Sequence, residues 1–169
     1  MTGVMVVRRR TDADLAALAQ VMARVRAADD YPTFLPGDDY HRFLTRPEPL
    51  EAWVAESDAR ICGHVALNAQ PSPGAMQVLH DAGIVGPLGA VARLLVDPDA
   101  RGRGIARDLL QTARSAAVTQ HRVPVLEVVE SSCAAIALYR RSGWMELGRT
   151  SLALPDGRVL AELVFATVG

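Results

Sequence analysis

The sequence predicts an α/β fold with about seven strands, and three observations carry the prediction. Short apolar runs rich in Val, Ile and Leu alternate with amphipathic stretches of helical period. Two pairs of such runs are joined by tight-turn sequences, SDAR and PDGR. Glycines and prolines mark the junctions between them. The predicted order is β-α-α-β-β-β-α-β-α-β-β, with no internal repeat and no domain linker.

Val4 to Val7 (VMVV) reads as the first strand. The next segment, from Thr11, is a helix with Thr11 as N-cap, Asp14 at its third position, and Leu15, Leu18, Met22 and Val25 as its buried stripe. DDYPTFLPGDD breaks that period with two prolines and a glycine, ahead of a short helix around Tyr40 to Leu44. Glu51 to Glu56 and Ile61 to Asn68 form a hairpin, and Ala69 to Gly89 form a long connection in which AMQVLHDAG can add one short helix capped by Gly83. Ala90 to Val96 is an apolar strand broken only by Arg93. A helix from Gly104 to about Val118 buries Ile105, Leu109, Ala113 and Ala116 or Ala117. VPVLEVV is a strand, Ser131 or Ser132 caps a helix that Gly143 ends, and a hairpin with a turn at Asp156 and Gly157 closes the chain.

Composition narrows the function. At 169 residues the chain is sized for one domain, and at that size folding buries roughly 70% of the unfolded chain's surface. No apolar run approaches the ~18 residues of a membrane span, so no membrane partner is expected. The opening MTGVMVVRRR puts its charges after a very short apolar run, the reverse of a secretory signal, and a cytoplasmic protein is expected. Cys62 and Cys133 have no metal-ligand spacing, and His41, His64, His80 and His121 are scattered, so neither a metal nor a disulfide framework is expected. The net charge of -1 gives nucleic-acid binding little support. All 18 basic residues are arginine.

The informative stretch is VDPDARGRGIARDLL, Val96 to Leu110. After a strand, DPDA turns the chain and RGRGIA delivers it into a helix, whose first turn presents unpaired N–H groups and a positive dipole end. Glycines at 102 and 104 let the backbone approach an anion closely. A dinucleotide loop would need glycine where Arg107 stands, and a Walker loop would need a lysine, which this chain lacks.

These residues resemble the GCN5-related N-acetyltransferase (GNAT) superfamily, whose acetyl-CoA loop reads Q/R-x-x-G-x-G/A and is filled here by Arg101, Gly104 and Ala106. Leu94, Val96 and Pro98 match the strand before it. Downstream, LEVVESSCAAIALYRRSGW resembles a motif of ribosomal-protein and related N-terminal acetyltransferases, with Leu126, Glu127, Val128, Ala135, Leu138, Tyr139 and Gly143 in register. Trp144 stands for the family's phenylalanine, Ser132 for its asparagine, and Ala90 where many members carry a glutamate. The resemblance implies a single GNAT domain over 1–169, a mixed central sheet of about seven strands splayed between strands 4 and 5, and about four helices on its two faces.

It also implies the chemistry: an amine attacks the thioester of acetyl-CoA directly, with no metal. Cofactor-binding residues are then expected at Leu94, Leu95, Val96, Arg101, Gly102, Arg103, Gly104, Ile105, Ala106, Ser132, Ala135 and Tyr139, with the N–H of Leu95 or Val96 facing the developing oxyanion. The catalytic residues are Tyr139, protonated at neutral pH and able to donate to the leaving sulfur, and Glu127, on an apolar strand, as base with Glu130 in reserve. His64 reads as a hydrogen-bonded core histidine, and the acidic pairs Asp29, Asp30 and Asp38, Asp39 as a solvated loop face. The expected acceptor is a small amine or a peptide N-terminus, and the expected assembly a homodimer through the Ala69 to Gly89 connection or the C-terminal hairpin. The other reading is an acyl-CoA-binding regulatory or assembly module with little or no turnover, its motive being Ala90.

Overall fold

The computed structural model describes residues 4–167. Among the described residues there are seven strands, β1 (Met5–Arg9), β2 (Glu51–Ser57), β3 (Arg60–Asn68), β4 (Leu88–Val96), β5 (Val123–Val129), β6 (Met145–Ala153) and β7 (Val159–Ala166). They form one sheet in the order β1-β2-β3-β4-β5-β7-β6. The sheet is mixed: β4 runs parallel to β5, whereas β1–β2, β2–β3, β5–β7 and β6–β7 are antiparallel. The β4–β5 ladder runs from Leu88↔Val123 to Val91↔Leu126, so Ala92–Val96 and Glu127–Val129 lie beyond it.

The described helices are α1 (Leu15–Asp29), α2 (Tyr40–Thr45), α3 (Pro73–Asp81), α4 (Ile105–Thr119) and α5 (Cys133–Arg141). The fifth is the short helix that AMQVLHDAG allows in the long connection, where Pro73–Asp81 are helical. Pro73 fixes the first turn of α3, and Ser72 caps it by accepting from the Ala75 N–H at 3.2 Å, two signals stronger than the apolar period from Ala75 onward. β4 starts at Leu88, two residues before the predicted start at Ala90. Asp14 belongs to a 3₁₀ turn, Asp12–Asp14, leading into α1, and its carboxylate accepts the Thr11 N–H at 2.7 Å.

The chain forms two compact units, divided at the end of β3, within β4 and within α4. The first comprises the residues up to Leu67 with Arg93–Ala113. Its core is the α1 stripe Leu18, Val21, Met22 and Val25 packed with Leu44, Val54 and Leu95. Each such buried side chain contributes roughly 1.5–3 kcal/mol. The second comprises Asn68–Ala92 with the chain from Arg114 onward, and there Ala75 and Leu79 of α3 pack on Leu88, Ala90, Val125, Val164 and Ala166.

A polar knot runs through the first unit. Arg93 is 7% exposed and sits in β4 at φ +54°, a left-handed backbone that a non-glycine residue adopts at a cost of about 1–2 kcal/mol. Its guanidinium donates to the carbonyls of Leu44 (3.3 Å), Arg46 (2.7 Å) and Pro47 (3.2 Å) and lies over the Phe43 ring. The fully buried His64 lies between Arg10 Nη1, 3.1 Å from its Nε2, and the Arg93 carbonyl, 2.9 Å from its Nδ1. Arginine can only donate and a carbonyl only accept, so the ring is neutral with its proton on Nδ1. Burial drives its pKa down to about 3.

The unfolded chain takes up this proton near pH 6.5, and the folded chain holds it off until about 3, so stability falls as pH is lowered through that window. His64→Gln is therefore expected to be less stable than the parent at pH 7, with the gap narrowing by pH 4.5. Urea unfolding of both proteins at the two pH values measures it.

Candidate active site

The loop between β4 and α4 is held from beneath. Asp97, 3% exposed, donates its backbone N–H to the Cys62 carbonyl at 2.8 Å and takes the Asp99 N–H on its side chain at 3.2 Å. The Arg24 guanidinium meets the same carboxylate and holds its pKa below the ordinary carboxylate value. The turn Pro98–Ala100 is fixed this way, and the chain then crosses Gly102 at φ +76° and Gly104 at φ +80° before entering α4. Those angles are the direct reason for glycine. Ile105 is 2% exposed, so its side chain belongs to the core and only its backbone is available to a ligand.

The loop arginines divide. Arg101 donates to Asp29 at 2.5 Å and 3.1 Å, and Arg103 reaches the Ser57 hydroxyl at 3.3 Å. Asp38 pairs with Arg26, and Asp39 caps α2 by accepting the Arg42 N–H at 2.8 Å. Asp29, Asp38 and Asp39 are thus engaged within the first unit instead of forming a free acidic face. Leu95 and Val96 are buried and Leu94 half-buried.

In the second unit the sheet carries chemistry on both faces. Residues opposite each other in the β5–β7 and β7–β6 ladders share a face: Glu127 with Val164, and Val129 with Glu162 and Thr150. The α3 side holds Glu127, which accepts from the Ser72 N–H at 2.7 Å and from the Ser72 hydroxyl at 2.5 Å. Ser72 can reach it because Gly74 lets α3 start close against β6; a Cβ at Gly74 would run into Thr150 Oγ1. Glu162, 8% exposed, hydrogen-bonds the Glu127 carboxyl on the same face. Burial, helped by the Glu127 charge and that hydrogen bond, pushes the Glu162 carboxyl up to about 7.

Phe165 points to the other face, where Tyr139 of α5 packs on it at 5.9 Å and on Trp144 at 6.4 Å. Tyr139 and Glu127 therefore occupy opposite faces of this part of the sheet. Ser132 is the N-cap residue of α5 with no side-chain cap bond, and Ala135 is half-buried. Glu130 is drawn away by an ion pair with Arg149 at 2.6 Å. Ala90 is 5% exposed among apolar side chains, which leaves no polar partner for a carboxylate there. Sequence reasoning missed Ser72 and Glu162. The signal for Glu162 was a lone acid in the apolar run VLAELVFA.

The sequence model of the acetyltransferase (GNAT) family matches residues 20–144. The chain belongs to that family, and is an acyltransferase. No curated protein matches the chain in sequence. Among solved structures it is similar to Arabidopsis thaliana NAA60 in complex with acetyl-CoA, at TM-score 0.73 and 19% identity over 97% of this chain and 98% of that one. It is also similar to the ribosomal-protein-alanine N-acetyltransferase of Brucella melitensis (TM-score 0.70, 21% identity, 97% and 99% covered) and to an N-acetyltransferase of Staphylococcus aureus Mu50 (0.69, 19%, 97% and 98%). The loop suits an anionic ligand: Gly102 and Gly104 carry no Cβ ahead of the first turn of α4, and the Arg107 guanidinium lies 3.2 Å from where a Gly104 Cβ would stand. No group of side chains that could hold a metal occurs among the described residues.

Gly104→Val is expected to weaken CoA binding by about tenfold or more, ~1.4 kcal/mol. Gly157→Val imposes comparable strain at φ +88° in the β6–β7 turn and should bind CoA as the parent does. Titration calorimetry on the two variants separates a ligand-binding loop from backbone strain alone.

Proposed function

We propose that this acetyltransferase transfers the acetyl group of acetyl-CoA to an amine, of a small molecule or a peptide N-terminus, by direct attack. The observation that carries the reading is Glu127, half-buried and oriented through both of its oxygens by Ser72. An amine is protonated in water and must lose a proton to become a nucleophile, which calls for a fixed carboxylate. Acetyl-CoA supplies the activated thioester carbon.

The chain's residues divide the remaining work. The N–H of Leu95 or Val96 donates to the acyl oxygen. The start of α4, with Arg101, Gly102, Arg103, Gly104, Ile105 and Ala106, holds the phosphates, and Leu94, Ser132 and Ala135 line the rest of the cofactor's path. Tyr139, fixed by its aromatic neighbours, donates its proton to the departing sulfur. The whole chain acts as one domain in the cytoplasm.

The test is release of the CoA thiol from acetyl-CoA across a panel of amines. Tyr139→Phe keeps the ring packing and deletes the donor, so turnover should fall by roughly 10²–10⁴ with CoA affinity little changed. Glu127→Gln should lose most activity near neutral pH and recover part of it at high pH, where free amine needs no base. Parental turnover in Tyr139→Phe would reduce that residue to a packed aromatic. Failure of every amine to accelerate thiol release would favour a binding module.

We further propose a homodimer through the C-terminal hairpin. β6 is the outermost strand of the sheet, and Met145, Leu152 and Val159 are exposed apolar residues on that hairpin. Light scattering at high protein concentration should give twice the 18.1 kDa chain mass, and Leu152→Lys should reduce it to one.

A further inference from the structure

Glu162 is the buried acid that the reaction as written does not use. It sits on β7 between β5 and β6, opposite Val129 and Thr150, and its carboxyl bonds to that of Glu127, one residue pair along on the same face. Charge on both carboxylates at once is opposed by their mutual repulsion, which burial strengthens.

The surroundings offer that face no competing charge among the described residues. Just beyond β5, Glu130 is paired with Arg149 of β6. Glu146 of β6 lies opposite Phe165, on the other face, and pairs with Arg140 of α5. On α3, His80 and Asp81 are exposed and adjacent to each other, while Ala75 and Leu79 are the residues turned into the core. Ser72, the N-cap of α3, turns its N–H and its hydroxyl to Glu127. Besides its burial, the group that acts on Glu162 is therefore Glu127, which Ser72 orients.

We propose that Glu162 is a positioning residue for the base: the two carboxyls share one proton in their resting form, and the doubly charged form of the pair is what accepts the proton of the acceptor amine. This rests on the reading of Glu127 as the base. The proton balance is simple. The ammonium form of the acceptor loses one proton, the pair goes from two negative charges to one, and the pair then returns that proton to solvent. A lone carboxylate is a weak base at neutral pH, because its conjugate acid ionises near 4. A pair that gives up its second proton near neutrality is matched to the task, since a general base works best when its proton affinity lies near the operating pH. The elevation of Glu162 to about 7 agrees with this.

The test reads the pair directly and then through the reaction. Difference infrared spectroscopy of the parent across pH 5 to 9 should show one protonated carboxyl band lost with a midpoint near 7. The band should be absent in Glu162→Gln, and in Glu127→Gln its midpoint should drop by at least about one pH unit, as the neighbouring charge is gone. In Glu162→Gln, turnover at pH 7.5 should fall about 10- to 100-fold, and the rise of kcat with pH near 7 should shift toward the ordinary carboxylate range while KM for the amine stays close to the parent's. No carboxyl titrating between pH 6 and 8 in the parent overturns the proposal. So does a Glu162→Gln enzyme with the parental pH profile beside a disabled Glu127→Gln, an outcome that leaves Glu127 as a solitary base. Parental turnover in Glu127→Gln instead overturns the base assignment itself, and the proposal with it.

Discussion

β7 fills the gap that the chain leaves between β5 and β6, and the chemistry of the second unit depends on that insertion. Its alternating side chains serve both faces at once. Glu162 and Val164 turn toward α3 and Glu127, while Phe165 turns toward Tyr139. With β6 next to β5 instead, Glu127 would lose the neighbouring acid of β7, and Tyr139 would lose the ring it packs on. The last strand of the sequence thus sets the environment of residues that precede it by more than twenty positions, and the antiparallel register keeps the two sets of contacts from interchanging.

Legibility in the sequence followed the range of the interactions. The hairpin around Asp58 and Ala59, both at positive φ, and the turn at Gly157 were visible because tight turns restrict residue type locally. The glycines of the β4–α4 loop were visible for the same reason. So was the burial of His64, although its two partners, Arg10 and the Arg93 carbonyl, come from distant segments and had no local signature. The helix in the long connection starts two residues ahead of AMQVLHDAG, because Pro73 serves as a first-turn residue. Glu162 was hidden for a stronger reason. Its meaning depends on which strand lies beside β7, and alternation within one strand reveals a face without naming the neighbour.

An arginine-only set of basic residues leaves its mark on the first unit. Arg24 on Asp97, Arg101 on Asp29 and Arg26 on Asp38 are guanidinium–carboxylate pairs, and Arg93 binds carbonyl groups alone among the bonds that fix it. The planar fork suits both uses, since it spreads its charge over several acceptors and is less strongly hydrated than an ammonium. The buried Arg93 replaces the apolar residue expected in the middle of β4 with a brace on the segment after α2. It also anchors the one left-handed residue of that strand.

Ser72 has two duties: its hydroxyl oxygen ends the first turn of α3, and its donors hold Glu127. A nine-residue helix has little intrinsic stability and persists through its packing. Fraying of its first turn on warming would release both donors from the carboxylate together, so the orientation of a side chain on the central sheet is tied to the melting of a short helix.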